Sequence, residues 1–385
     1  MNNREFEKKY YNDRKKSNSV KWTVGRENNS LPMWIADMDF RPDERIVKAL
    51  TEFIEYGDYG YANLPGDYYE TVIKWNIDRH NLKLEKEWIR FSKGAIDGLY
   101  QIIYALTKEN DGIMINTPVY HPFKQTIKTT KRKLVESKLI NNNGYFTFNF
   151  KDIEEKFKKE NVKAIILCSP HNPVGRVFKN GELEELLDLC HKYHVLVISD
   201  EVHNDIIMPD QEFVPTLSFK KYQNETIVLT AVSKTFSFPV YAHCHIVIPS
   251  KTLRAKFDKY QEVTHRASVN AFNALTTYYG YKYGADWIDQ VNNIVFENYN
   301  YFYSKLSKYF EITPLEGSYL IFVNIGKFNK NKSAADYLIE QCHIVTNAGE
   351  AFGGKQYKNW VRVNLATSLA NVKKAVKELE KIATM

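Results

Sequence analysis

Val195-Leu196-Val197-Ile198-Ser199-Asp200-Glu201 is a short apolar run closed by two carboxylates. A run of this kind suits a strand buried on both faces of a parallel sheet. Val162 to Cys168 reads the same way. The link between them, Gly181 to Tyr193, carries Leu183, Leu186 and Leu187 at helical spacing behind a cluster of glutamates. Further apolar runs lie at Gly112 to Asn116, Thr226 to Thr230 and His245 to Ile248, and helical patterns at Gly94 to Leu106 and Arg254 to His265. This alternation predicts a doubly wound α/β domain whose ligands sit at the carboxyl ends of the strands.

Asp200 falls at one such end. Ser233-Lys234-Thr235-Phe236 follows the Thr226 to Thr230 run, with Lys234 on a loop 34 residues beyond Asp200. Each string alone has an ordinary explanation. Lysine after serine is usually a solvated surface residue, and aspartate after an apolar strand often caps a turn. Together they match what pyridoxal phosphate (PLP) chemistry requires. A lysine amine forms a Schiff base with the aldehyde, and a carboxylate keeps the pyridine nitrogen protonated so that the ring accepts electrons.

Other strings extend the pattern: Met33-Trp34-Ile35-Ala36-Asp37-Met38-Asp39-Phe40, Tyr59-Gly60-Tyr61, Pro118-Val119-Tyr120-His121-Pro122-Phe123, Cys168 to Arg176 (CSPHNPVGR), Ser199 to His203 and Val361-Arg362-Val363-Asn364-Leu365. With these, nearly the whole chain resembles the fold-type I PLP enzymes, the aspartate aminotransferase superfamily. It is most similar to the MalY/PatB branch of cystathionine and cysteine-S-conjugate β-lyases. The resemblance implies an aspartate-aminotransferase-like α/β fold, with a large, mainly parallel sheet domain and a smaller α+β domain. Residues 1–47 would form an N-terminal arm and part of the small domain, 48–280 the PLP-binding domain, and 281–385 the remaining small domain. A helix from Asp286 to Phe310 would bridge the two, with Tyr299, Tyr303 and Leu306 on one face.

The same resemblance assigns the site. Lys234 would be the catalytic lysine and Asp200 the partner of the ring nitrogen. Gly94, Ala95 and Ile96, opening a helix after the strand-like Trp88 to Phe91, would hold the phosphate, and Ser233 would also bind the cofactor. Tyr61 would reach the phosphate across a dimer interface. Tyr120 would stack on the ring, and Asn172 would donate to its phenolic oxygen with His203 nearby. Arg362 lies inside an apolar strand, where a guanidinium is costly unless it meets an anion. It would hold the substrate carboxylate, with Trp34 and Tyr120 also in the substrate site; the ordinary alternative is a buried salt bridge. An apolar wall of Trp34, Tyr61, Tyr120, Phe123, Phe238 and Tyr241 is expected around the leaving group. One departure stands out. Aminotransferases place an arginine eight residues past the lysine; here that residue is Ala242. His243 and His245 lie beside it and are left unassigned.

Composition bounds the function classes. A net charge of +7 spread over 385 residues does not describe a nucleic-acid footprint. The basic stretch Lys128 to Lys138 is expected to be an exposed helix end and loop. No apolar run is long enough for a membrane helix, and the polar start lacks a secretion signal. Cys168, Cys190, Cys244 and Cys342 have no metal-type spacing, and no metal site is expected. Buried, reduced thiols in a cytoplasmic protein are the expectation; the resemblance implies a homodimer acting on a small amino acid. The activity that the resemblance favours is β-elimination of a thiol. Transamination is the alternative, and a non-catalytic protein on the same fold is the remote one.

Overall fold

The computed structural model of the chain describes residues 1–326 and 332–384. Seven strands form its main sheet: β1 (Ile89–Ser92), β2 (Gly112–Thr117), β3 (Lys133–Lys138), β4 (Val162–Cys168), β5 (Leu196–Asp200), β6 (Thr226–Thr230) and β7 (Cys244–Val247). Their order is β1-β7-β6-β5-β4-β2-β3. All neighbouring pairs are parallel except those of β7, which runs antiparallel to both β1 and β6. The apolar strings are central strands because helices cover both faces, so side chains pointing either way are removed from water. Every residue of β6 is buried, and the helix Asn180–Lys192 lays Leu183, Leu186, Leu187 and Cys190 onto the sheet. Burying each such aliphatic side chain stabilises the fold by about 1.5–3 kcal/mol.

The second unit is built on a four-stranded antiparallel sheet of β8 (Glu311–Ile312), β9 (Leu320–Asn324), β10 (Asn347–Ala348) and β11 (Trp360–Asn364), in the order β8-β9-β11-β10. The 22-residue helix Ala285–Leu306, about 33 Å long at 1.5 Å per residue, joins the units and packs against the closing helix Leu369–Thr384. On the helix Ala285–Leu306, Tyr299 and Leu306 are buried, whereas Tyr303 lies at the margin and is exposed. The N-terminal segment belongs here too. Leu31 and Pro32 pair in parallel with Ile344 and Val345, and the Phe6 ring lies 6.0 Å from Trp287. The boundary expected at residues 47/48 falls inside the helix Glu44–Tyr56.

Two local expectations are corrected. Lys234 sits on a four-residue helix, Val232–Thr235, rather than on a loop. The basic stretch from Lys128 is only partly a helix end and loop. Its second half is the edge strand β3, where exposed Lys133 and Lys138 oppose edge-to-edge pairing. Arg132 within it is buried, its guanidinium spent on the carbonyls of Ile103, Thr107 and Thr130. Among the described residues, no helix is long and apolar enough to cross a membrane.

Candidate active site

Parallel pairing of β5 with β6 sets Asp200 opposite Leu229, so Asp200 and the turn carrying Lys234 emerge at the same edge of the sheet. Asp200 closes β5 at 5% exposure, with one carboxylate oxygen accepting from Val202 N at 3.3 Å. Burial pushes its carboxyl up to about 6, and the Lys234 charge works against that rise. Lys234 is half-buried, and its amine donates to the Ala36 carbonyl at 3.0 Å. Burial, helped by the Arg362 charge, pushes that amine down to about 8.

Arg362 stands at the centre of β11, 4% exposed. One terminal nitrogen donates to Asn172 Oδ1 at 3.0 Å; the other donates to Trp34 O at 3.0 Å and Asn347 Oδ1 at 2.6 Å. Its Nε has no partner, and none of its acceptors carries a charge. The buried salt bridge is therefore absent, and burial lowers the guanidinium pKa to about 10. A buried cation with only neutral acceptors is incomplete without an anion.

The 33–40 string forms the wall between these groups and acts largely through its backbone. Trp34 O holds Arg362, Ala36 O holds Lys234, and Ile35 O and Asp37 O accept from Asn364 Nδ2 at 2.7 and 2.9 Å. The string is itself anchored. Asp39 is buried against Lys21 Nζ and Trp22 Nε1, both at 2.8 Å, and Asp37 binds Arg14 at 2.7 Å and Ser237 Oγ at 3.0 Å. The Trp34 indole donates to Lys21 O at 3.1 Å, so its ring is pinned toward the N-terminal helix Val20–Glu27.

Gly94 caps the helix Ala95–Leu106 with φ +119°, a conformation that favours glycine, and nothing lies within 4 Å of the position a Cβ would take. The amides of Ala95 and Ile96 open that helix, whose dipole favours an anion. Asp97 in the first turn accepts from Lys93 N at 3.0 Å and pairs with Arg266. His243 and His245 supply no positive charge. Both rings are buried against the Tyr68 hydroxyl, at 2.8 and 2.7 Å, and burial pushes both pKa values down. Ser233 is half-buried on the Lys234 helix. Tyr61 is fully exposed on the exposed stretch 54–63, and the structure brings it to none of the other site residues.

The family model for aminotransferase class I and II matches residues 34–379. The chain belongs to that family. It is similar to cystathionine β-lyase PatB of Bacillus subtilis, 29% identical over 372 residues that span 94% of this chain and 96% of the relative. It is also similar to a PLP-bound putative aminotransferase from Clostridium difficile 630 (32% identity, TM-score 0.91, 96% of this chain and 98% of that one). The PLP-bound C-S lyase of Staphylococcus hominis superposes with a TM-score of 0.90 at 28% identity, covering 97% of each chain. The fold is aminotransferase-like, PLP fold type I.

The residues present fit the family's cofactor. His203 is 3% exposed with an unpartnered Nδ1, and burial holds its pKa well below the ordinary value, so the ring is neutral. The Tyr319 hydroxyl is wholly buried without a partner, its ring 5.8 Å from that of His203. Asn172 gives its carbonyl oxygen to Arg362, which leaves its amide group as the donor. Tyr120 is half-buried beside Asp200 and Arg362, whose charges both act on its hydroxyl. Of the expected apolar wall, Phe123 is 0% and Phe238 5% exposed, with the aromatic body driven out of water. Ala36, Asp37, Asn347 and Tyr319 were not singled out from sequence as site residues. Only the 33–40 string carried a signal for the first two.

Proposed function

We propose that this protein is a PLP-dependent carbon–sulfur β-lyase. It would cleave L-cystathionine or S-alkyl and S-aryl cysteines to a thiol, pyruvate and ammonia by α,β-elimination. The observation that carries the proposal is Lys234, a half-buried amine with a lowered pKa, held beside Asp200 and the incompletely paired Arg362. Elimination is favoured over transamination by the similarity to PatB and to the S. hominis C-S lyase, and by Ala242.

When bound, PLP supplies an electron sink for the bonds at the substrate Cα. Gly94, Ala95, Ile96 and Ser233 would hold its phosphate, Asp200 its ring nitrogen, Asn172 its phenolic oxygen and Tyr120 its ring face, with His203 behind. Lys234 anchors the group through its amine. As a free amine Lys234 would take the substrate Cα proton, its lowered pKa keeping the neutral form available near pH 8. Arg362 would bind and orient the substrate α-carboxylate. Loss of thiolate from Cβ and hydrolysis complete the products.

We take the active species to be a homodimer with shared sites. The support is Tyr61, fully exposed here beside exposed Tyr56 and Tyr59. Four buried free cysteines favour a cytoplasmic setting. Purified protein is assayed with L-cystathionine and several S-alkyl-cysteines, reading thiol, pyruvate and keto-acid exchange. Stoichiometric thiol and pyruvate are expected. Keto-acid exchange without pyruvate would make the protein an aminotransferase.

A further inference from the structure

Lys234 lies on a helix too short to fix its own orientation. Val232–Thr235 has four residues, closed by Phe236 N to Val232 O at 3.0 Å and Phe238 N to Ser233 O at 3.1 Å. The direction of the lysine must therefore be set by what the turn touches. Thr235, the next residue, is buried, and its hydroxyl donates to Asp205 Oδ2 at 2.8 Å. Asp205 is 2% exposed, and its other oxygen accepts from Trp75 Nε1 and faces His80 Nε2, both at 3.0 Å. Its backbone carbonyl accepts from Asn292 Nδ2 at 2.9 Å. The Asp205 carboxylate thus ties the helix Tyr68–His80 to the lysine turn, and its backbone carbonyl ties the loop after β5 to the helix Ala285–Leu306.

We propose that Asp205 is a positioning residue for Lys234, acting through the Thr235 hydroxyl. The site then has one organiser for two groups. Asp200 and Asp205 leave the same strand five residues apart, so the loop that presents the ring-nitrogen partner also sets the amine. Three donors converge on Asp205, which as a carboxylate accepts from all of them. Burial would raise its pKa, yet the bonds from His80 and Thr235 and the nearby Arg79 charge hold it below the ordinary value. The carboxylate is thus the resident form. An asparagine could keep its oxygen toward Trp75 and His80 only by turning its NH2 to Thr235, so the hydroxyl would accept instead of donating and the turn would be held by a reversed bond. Thr235 is equally specific. Valine copies its shape without the hydroxyl, and serine keeps the hydroxyl without the methyl group.

The proposal rests on Lys234 being the amine that bonds PLP. The test is the rate at which PLP becomes attached to cofactor-free protein, trapped with borohydride and located on Lys234 by peptide mass. Thr235→Val is expected to attach roughly ten- to a hundredfold more slowly, since small misplacements of a reacting group cost that much. It should also lose kcat with KM little changed, while Thr235→Ser recovers most of the attachment rate. Asp205→Asn is the second arm and should slow attachment at least as far. Wild-type attachment in Thr235→Val or in Asp205→Asn would overturn the proposal, as would equal losses in the valine and serine variants. A wild type that never attaches PLP would instead overturn the proposed function.

Discussion

Replacing Arg362 by alanine separates the role of a substrate clamp from that of a structural cation. In the native chain its guanidinium meets Asn172 Oδ1, Trp34 O and Asn347 Oδ1, all neutral, while Nε stays unpartnered. No carboxylate is among its partners, and burial lowers its pKa to about 10. The substrate carboxylate would supply that missing charge. Removing one partner of a buried ion pair costs roughly 3–5 kcal/mol. At about 1.36 kcal/mol per tenfold, kcat/KM should fall roughly 200- to 5,000-fold. Folding should suffer less, because three acceptors lose a donor while the cost of burying the cation is also removed. Arg362→Lys should lie between, since an ammonium keeps the charge but cannot span the same acceptors. The assay is kcat/KM for S-methyl-cysteine, together with competitive inhibition by an unreactive amino acid and by its decarboxylated amine. The amino acid should lose affinity in Arg362→Ala and the amine should not. A kcat/KM within about threefold of wild type would refute the clamp, as would equal loss for both inhibitors, because either outcome falls far short of a broken buried pair.

Three further outcomes follow from the same site. Asp200→Asn should fold and turn over far more slowly; its raised carboxyl also predicts a pH signature in the cofactor-free protein. The folded form holds the proton above the ordinary 3.8, so wild-type stability relative to Asp200→Asn should decline as pH rises from about 4 to about 6 and then level, read by thermal midpoints; a flat difference would deny the burial. PLP attachment to Lys234 should rise about tenfold per pH unit and level near pH 8, where the amine loses its proton, and Lys234→Ala should show none; a rate still climbing at pH 10 would mean an unshifted amine. Mixed Tyr61→Ala and Lys234→Ala subunits should regain activity that neither has alone, as one of the two sites in a mixed dimer is intact; no recovery despite shown subunit exchange would place Tyr61 outside the shared site.

Much of the fold was readable along the chain because strand burial and helical spacing are local properties. Val162–Cys168 and Thr226–Thr230 are strands with the bounds the pattern suggests, and Asp200 and Gly94 stand where a strand closes and a helix opens. Lys234 was legible for the same reason: its position after a strand follows from neighbours in sequence. The antiparallel course of β7 was not, since an apolar run carries no direction. Nor were the carbonyls of Trp34 and Ala36, because every residue has one and only packing decides which meets a buried cation. Tyr319, Asn347 and Asp205 belong to the same class; their partners lie 15 to 130 residues away along the chain. Sequence alone determined which chemistry the strand ends could host, because each group's place depends on a few adjacent residues. The tertiary structure decided how those groups are aimed and charged, because burial and long-range backbone contacts are properties of the packed chain.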